Sequence, residues 1–336
     1  MPRNRGALRR RRLKLATLNN GTRDGCLVVV ARDHSLAVPA KGIAATMQDA
    51  LERWAEVEAP LGALAATLES GVAVDAITFA AADVLAPLPR AWQWLDGSAY
   101  ESHGALLRMV SGRQAPPHDA PLMYQGLSHI FYSGTADFPT PSEANNIDFE
   151  GEFGIIVDDV PMGVTPEQAA AHIRLIVMIN DWSLRGFALR ESKIGFGWIQ
   201  AKPPCSVAPV AITPDELGTY WRDGRVDLPL IVDWNGVRFG AAQGYQMSWS
   251  FPEHVAHAAR TRALCAGTII GGGTVSNENY REVGSSCIAE RRGIEALDEG
   301  KPHTGFMKFG DRVRMEATLP DGSPLFGVID QIVVQG

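Results

Sequence analysis

Cysteine is scarce. Four residues in 336, Cys26, Cys205, Cys265 and Cys287, show no C-x-x-C pair and no zinc-ligand spacing. That excludes a disulfide framework and a structural zinc site, and leaves four reduced thiols packed in or near the core, as in a cytoplasmic protein. Long apolar runs are also missing. No stretch reaches the ~20 apolar residues of a membrane-spanning helix, so no membrane partner is expected. Basic charge is not in excess: 31 Lys and Arg stand against 38 Asp and Glu, a formal net charge of −7, which argues against nucleic acid as a partner. The one basic stretch is the start, "MPRNRGALRRRRLK". No apolar segment follows it, which excludes a secretory signal. Residues 1–12 are read as a disordered leader, with an RNA-binding arm as the alternative.

What is present is an ordinary globular composition, 46% hydrophobic and 21% charged, in a chain long enough for one large domain or two modest ones. "LKLATLNNGTRDGCLVVVA" reads as a hairpin around Asn-Gly. A helix follows, with Thr46 and Asp49 as a capping box and Met47, Ala50, Leu51 and Trp54 on one face. Pro60 is expected to interrupt it and Gly71 to end it. "VLAPLPRAWQW" reads as a linker, so a small N-terminal α+β domain is placed at 13–88 and a larger one at 89–336. The larger part is rich in short strands, with hairpin tips at Asn235-Gly236 and Asp321-Gly322 and helices opening at Thr165-Pro166 and Pro252-Glu253. The fold class is α+β, β-rich and mixed.

"DFEGEFGII" holds the first chemical signal. Glu150 and Glu152 would point to one face of a strand whose other residues read as core. Alone, such a pair is the common pattern of a solvent-facing antiparallel strand. A second carboxylate, Asp181, ends the β-branched run "IRLIVMIN", where a buried charge is costly unless paired or bound to a cation. "WQWLDGSAYESHGALLR" adds Asp96 and His103, or else a simple Asp-Gly turn before a helix. Three or four carboxylates converging would make an all-oxygen site for a hard cation, Mg²⁺ first, with Ca²⁺ or Mn²⁺ possible. A histidine outside the ligand set would then serve as a base. His254 and His257 share a helix face, but no carboxylate or third histidine lies near them in sequence.

The ordered pieces "DGSAYESH", "YQGLSHIFYSGT", "DFEGE", "NDWSLR", "QAKPP", "AGTIIGGGT" and "CIAERRGIEAL" together resemble the fumarylacetoacetate hydrolase family. The resemblance runs from about Asp96 to the C-terminus, and the small domain before it also fits. It implies a mixed β-sandwich or roll catalytic domain that cleaves a carbon–carbon bond in a 1,3-dicarbonyl acid. Fumarylacetoacetate, giving fumarate and acetoacetate in aromatic breakdown, is the first substrate expected. An acylpyruvate or fumarylpyruvate hydrolase and a keto-diacid decarboxylase are the alternatives, and a non-catalytic cation-binding protein is the other class. By resemblance, Asp96, Glu150, Glu152 and Asp181 are the metal ligands. His103 looks like the base that activates water, with Glu290 orienting it. Lys202 and Arg185 look like stabilisers of the developing oxyanion and enolate, and Tyr124 and Thr268 like substrate contacts. Arg108, about a helical turn after His103, is a candidate clamp for a substrate carboxylate. Judged alone, Lys202 and Arg108 read as surface charges, and Tyr124 also fits a core tyrosine. Ala188 and Ser192 fall near places where the best-known animal member uses a glutamine and a tyrosine for substrate contact, so substrate identity stays open. A homodimer through the catalytic domain is also implied.

Overall fold

The computed structural model describes residues 12–80, 83–111 and 119–336. The expected leader lies outside them, Arg12 excepted. Lys14–Leu18 and Cys26–Val30 pair antiparallel as the hairpin pattern requires. Thr46 caps the following helix by accepting the Asp49 N–H at 3.1 Å, while the Asp49 carboxylate takes the Ala45 N–H. The helix breaks at Arg53, giving Met47–Glu52 and Trp54–Glu69, and not at Pro60, which sits inside the second piece. Pro60 and Glu56 both face solvent, so water can satisfy the Glu56 carbonyl that the missing proline N–H leaves unbonded.

Among the described residues, one twelve-stranded sheet runs through both parts of the chain, because Lys14–Leu18 pairs with Ala211–Ile212. At its centre, Gly151–Val157 lies between Ile173–Asn180 and Thr268–Gly271, both antiparallel to it; Trp94–Gly97 adds to the latter in parallel. A second sheet of five strands carries the hairpin Pro229–Trp234/Val237–Gln243, with Asn235 at φ 51° and Gly236 at φ 77°, and the pair Arg312–Thr318/Pro324–Gln335. That left-handed pair of turn residues matches the twist of a two-residue hairpin.

Strand alternation divides the core. On Ile173–Asn180, Leu175, Val177 and Ile179 join the N-terminal helices in one apolar cluster, whereas Ile176 and Met178 join the second sheet in the other. Phe153 and Ile155 of the neighbouring strand also face the second sheet. Gly151 faces it too: a Cβ there would lie 2.7 Å from Leu230, so glycine permits the close approach. Glu152 therefore projects from the opposite face, and by the same alternation so do Asp96, Gly271 and Asp181 on adjoining strands. The apolar packing on both faces, roughly 1.5–3 kcal/mol per large side chain, offsets the cost of burying charge at one end of the sheet.

Candidate active site

Asp96, Glu152 and Asp181 are all buried and bring one oxygen each within 4.8 Å of one another. Both Glu152 oxygens and Asp96 Oδ1 are buried without a hydrogen-bond partner among the described residues. Burial, then the neighbouring carboxylates, raise both acids well above their ordinary range: Asp181 acts on Asp96, and Asp96 and Asp181 act on Glu152. The space they share exists because Gly271 lies between their strands. A Cβ there would stand 2.4 Å from Asp96 Oδ1 and 3.0 Å from Glu152 Oε2. Orphaned, converging oxygens on rigid strands are the donor set of a hard divalent cation.

Glu150 is beside this trio but differently held. It falls in a break between the strands Ile147–Asp148 and Gly151–Val157, not within one continuous strand. Its Oε2 accepts from Lys202 Nζ at 2.5 Å and its Oε1 from the Arg185 guanidinium. Burial opposes its ionisation, but Lys202 and Arg185 outweigh burial and hold the carboxyl below its usual range. The expected convergence of Glu150 and Glu152 is thus divided: Glu152 groups with Asp96 and Asp181, while Glu150 groups with His103 and Cys287. Lys202 also donates to Asp181 Oδ2 at 2.5 Å. Burial disfavours its charge, yet Asp181 and Glu150 prevail and raise its pKa. Arg185 donates through Nε to Asp148, which in turn accepts the N–H groups of Ile288 and Ala289 and so fastens the start of the helix Ile288–Glu299. Asp148 escaped the sequence reading, although its place two residues before Glu150 was a usable signal.

His103 lies on the helix Glu101–Ser111 in the wall of a 290 Å³ cavity, with Asp96, Glu152, Tyr124 and Arg108. Burial is the largest influence on the imidazole and holds it down to about 4, so it is neutral at pH 7. Its Nδ1 has no hydrogen-bond partner among the described residues. The expected Glu290 partnership is therefore not formed. Glu290 is the third residue of its helix and turns its carboxylate to the Ser276 hydroxyl, which lies 2.8 Å from Ser102 Oγ. Tyr124 lines the cavity and donates to Asp181 Oδ2 at 2.8 Å. Arg108 folds back over Gly104, its Nη1 only 2.8 Å from where a Cβ would stand, and has no ion-pair partner among the described residues. Thr268 is corrected: it is buried, its hydroxyl donates to the Cys265 carbonyl, and it pairs with Val157 at the end of the strand remote from Gly271. Thr274, beyond the glycine run, lines the cavity instead. His254 is buried, with Nδ1 2.9 Å from the Ser250 carbonyl. Trp198 and Trp249 also line the cavity. Glu191 fixes the backbone approach to Lys202 by accepting the N–H groups of Ile199, Gln200 and Ala201.

Burial raises Glu290 from 4.5 to about 7, against its serine hydrogen bonds. The folded chain therefore holds this proton more tightly than the unfolded chain. The resulting stability is fully present below pH 4.5 and is lost as pH rises through about 7. Glu290→Gln is expected to match the wild type near pH 4 and to exceed it by roughly 3 kcal/mol at pH 8, read from urea unfolding at both values. An equal difference at both would contradict the raised pKa.

Residues 93–333 match the family model described as fumarylacetoacetate (FAA) hydrolase C-terminal, and residues 13–90 the model described as fumarylacetoacetase N-terminal domain 2. A relative, 2,4-didehydro-3-deoxy-L-rhamnonate hydrolase of Sphingomonas sp. (strain SKA58), is 22% identical over 181 residues, 53% of this chain and 59% of that protein. The match thus spans less than two thirds of that relative. The crystal structure of maleylpyruvate hydrolase from Sphingobium sp. SYK-6 in complex with manganese(II) and pyruvate is similar at TM-score 0.65 and 18% identity, covering 96% of this chain and 99% of that one. Fumarylpyruvate hydrolase from Pseudomonas aeruginosa, in complex with Mn²⁺ and pyruvate, gives TM-score 0.53 and 16% identity over 74% and 92%. At these identities the similarity is one of fold.

Proposed function

The chain belongs to the fumarylacetoacetate hydrolase family, and from that membership we propose that it hydrolyses a carbon–carbon bond in a 2,4-diketo acid of the acylpyruvate class, releasing pyruvate and a carboxylic acid. One observation carries this reading: three buried carboxylates, of which Glu152 and Asp96 Oδ1 lack hydrogen-bond partners among the described residues, converge beside a cavity lined by a neutral imidazole and by Arg108, a cation with no ion-pair partner among the described residues. The solved relatives holding Mn²⁺ and pyruvate are named maleylpyruvate hydrolase and fumarylpyruvate hydrolase, and this favours the acylpyruvate class over fumarylacetoacetate, the first substrate expected from the sequence.

Asp96, Glu152 and Asp181, with Glu150 adjacent, would hold a divalent cation. When bound, it supplies Lewis-acid polarisation of the diketo oxygens. The rest falls to this chain's own side chains. His103 accepts a proton from a cavity water as that water adds to the acyl carbonyl carbon. The bond from that carbon to the methylene breaks, its electron pair leaves with the pyruvate enolate, and the methylene carbon regains a proton. The balance is one diketo acid and one water in, one carboxylic acid and one pyruvate out. Lys202 and Arg185 keep Glu150 ionised and set a positive wall for the enolate. Arg108 pairs with a substrate carboxylate, and Trp198 and Trp249 limit bulk water. A homodimer is part of the proposal, supported by the exposed apolar side chains of Ile194, Phe196 and Ile199. Among the described residues no helix is long and apolar enough to cross a membrane.

The test is a substrate panel with Mn²⁺-loaded and chelator-stripped protein. Fumarylpyruvate or maleylpyruvate should yield pyruvate and the diacid in equal amounts, and verified metal removal should cost on the order of 10³-fold in rate. Cleavage of fumarylacetoacetate alone would overturn the substrate class. No cleavage of any diketo acid by metal-loaded protein would overturn the reaction.

A further inference from the structure

The sequence reads Cys205 as core packing; the structure gives it a partner. Asn180 and Ser206 are paired in antiparallel register, so the next positions, Asp181 and Cys205, face each other across the ends of the two strands. The Cys205 thiol lies 3.0 Å from Asp181 Oδ1. Both side chains are buried. Asp181 is otherwise held on one side only: Tyr124 and Lys202 both donate to Oδ2. Cys205 is thus the one donor to Oδ1 among the described residues. Its backbone is fixed as well, because its carbonyl accepts the Tyr132 N–H at 2.9 Å.

We propose that Cys205 is a positioning residue for Asp181, its S–H donating to Oδ1 and fixing the rotation of that carboxylate toward Asp96 and Glu152. The inference rests on the cation site proposed above. The carboxylate plane turns about the Cβ–Cγ bond, which moves both oxygens; Tyr124 and Lys202 restrain that rotation from Oδ2, and a donor on Oδ1 adds the restraint from the opposite side. A thiol suits the task because it is a weak donor. It occupies one lone pair of Oδ1 and leaves the other for a cation, whereas a cationic donor would repel the ion. Partners that orient a ligand typically contribute 10–100-fold to metal affinity.

Two measurements test this on the full-length protein. Manganese affinity, from electron paramagnetic resonance of free Mn²⁺, should fall at least about tenfold in Cys205→Ala and be largely recovered in Cys205→Ser, which keeps a donor. Infrared difference spectra of metal-free protein, wild type minus C205A, should show an S–H stretch lowered from that of an unbonded thiol. Equal affinity in wild type and C205A, or C205S no better than C205A, overturns the positioning role. An S–H band at the unbonded frequency overturns the hydrogen bond itself. Wild-type protein that binds no Mn²⁺ sinks the cation site and this role with it, while the infrared band still decides the hydrogen bond separately.

Discussion

Glu152→Gln is expected to abolish measurable Mn²⁺ binding and to lower kcat/KM by on the order of 10³-fold or more, while the metal-free variant melts no lower than the wild type. The two halves have one cause. Glu152 is fully buried, neither of its oxygens has a hydrogen-bond partner among the described residues, and Asp96 and Asp181 stand beside it. Without a cation, that arrangement is a cost: a charge out of water, close to other charges of the same sign. An amide of the same shape removes the repulsion and with it the ion's ligand. Calorimetry with and without Mn²⁺ should show the wild type rising with metal and the variant indifferent to it. If the metal-free variant unfolded several degrees below the wild type, Glu152 would be a structural partner and the ion site would be misassigned.

The second large effect separates proton transfer from ion binding. His103→Gln is expected to cut kcat by about 10²–10⁴-fold and leave Mn²⁺ affinity unchanged, because His103 neighbours Glu150 and Cys287 rather than the carboxylate trio. Its pH profile has a definite sign. Burial, partly opposed by Glu150, depresses the imidazole from 6.5 to about 4. A base acts when unprotonated, so wild-type kcat should hold through neutral pH and fall only as pH drops toward about 4. An acid limb near the unperturbed histidine value, or a large loss of metal affinity in H103Q, would remove His103 from this role.

Period and spacing marked single acids of the candidate site, and only the family resemblance gathered them around one ion. Alternation put Glu152 opposite the core face, and the abrupt end of a β-branched run marked Asp181. Other parts were hidden for physical reasons. Strand continuity suggested that Glu150 and Glu152 act as equals, but Glu150 lies in a break where two cations claim it. Two threonines flank the glycine run of "AGTIIGGGT", and only chain direction decides that Thr274 and not Thr268 reaches the cavity. Glu290 stands in a recognisable motif, yet one helical turn directs its carboxylate to Ser276. The break at Arg53 instead of Pro60 turned on which side of the helix meets water. Asp148 and Cys205 act through partners distant in sequence, 140 residues for Asp148 to Ile288 and 24 for Cys205 to Asp181, and local pattern says nothing of those.

Gly271 sits in a strand with ordinary extended neighbours, and its backbone does not need glycine's freedom. What it supplies is the absence of a Cβ, which would stand 2.4 Å from both Asp96 Oδ1 and the Trp94 ring and 3.0 Å from Glu152 Oε2. An alanine there would strain no dihedral, remove no hydrogen bond of the sheet and touch neither the imidazole nor the cations. It would push the oxygens apart where they must meet. A single added carbon atom at this position would thus disturb the proposed cation site while leaving the fold and every acid in place.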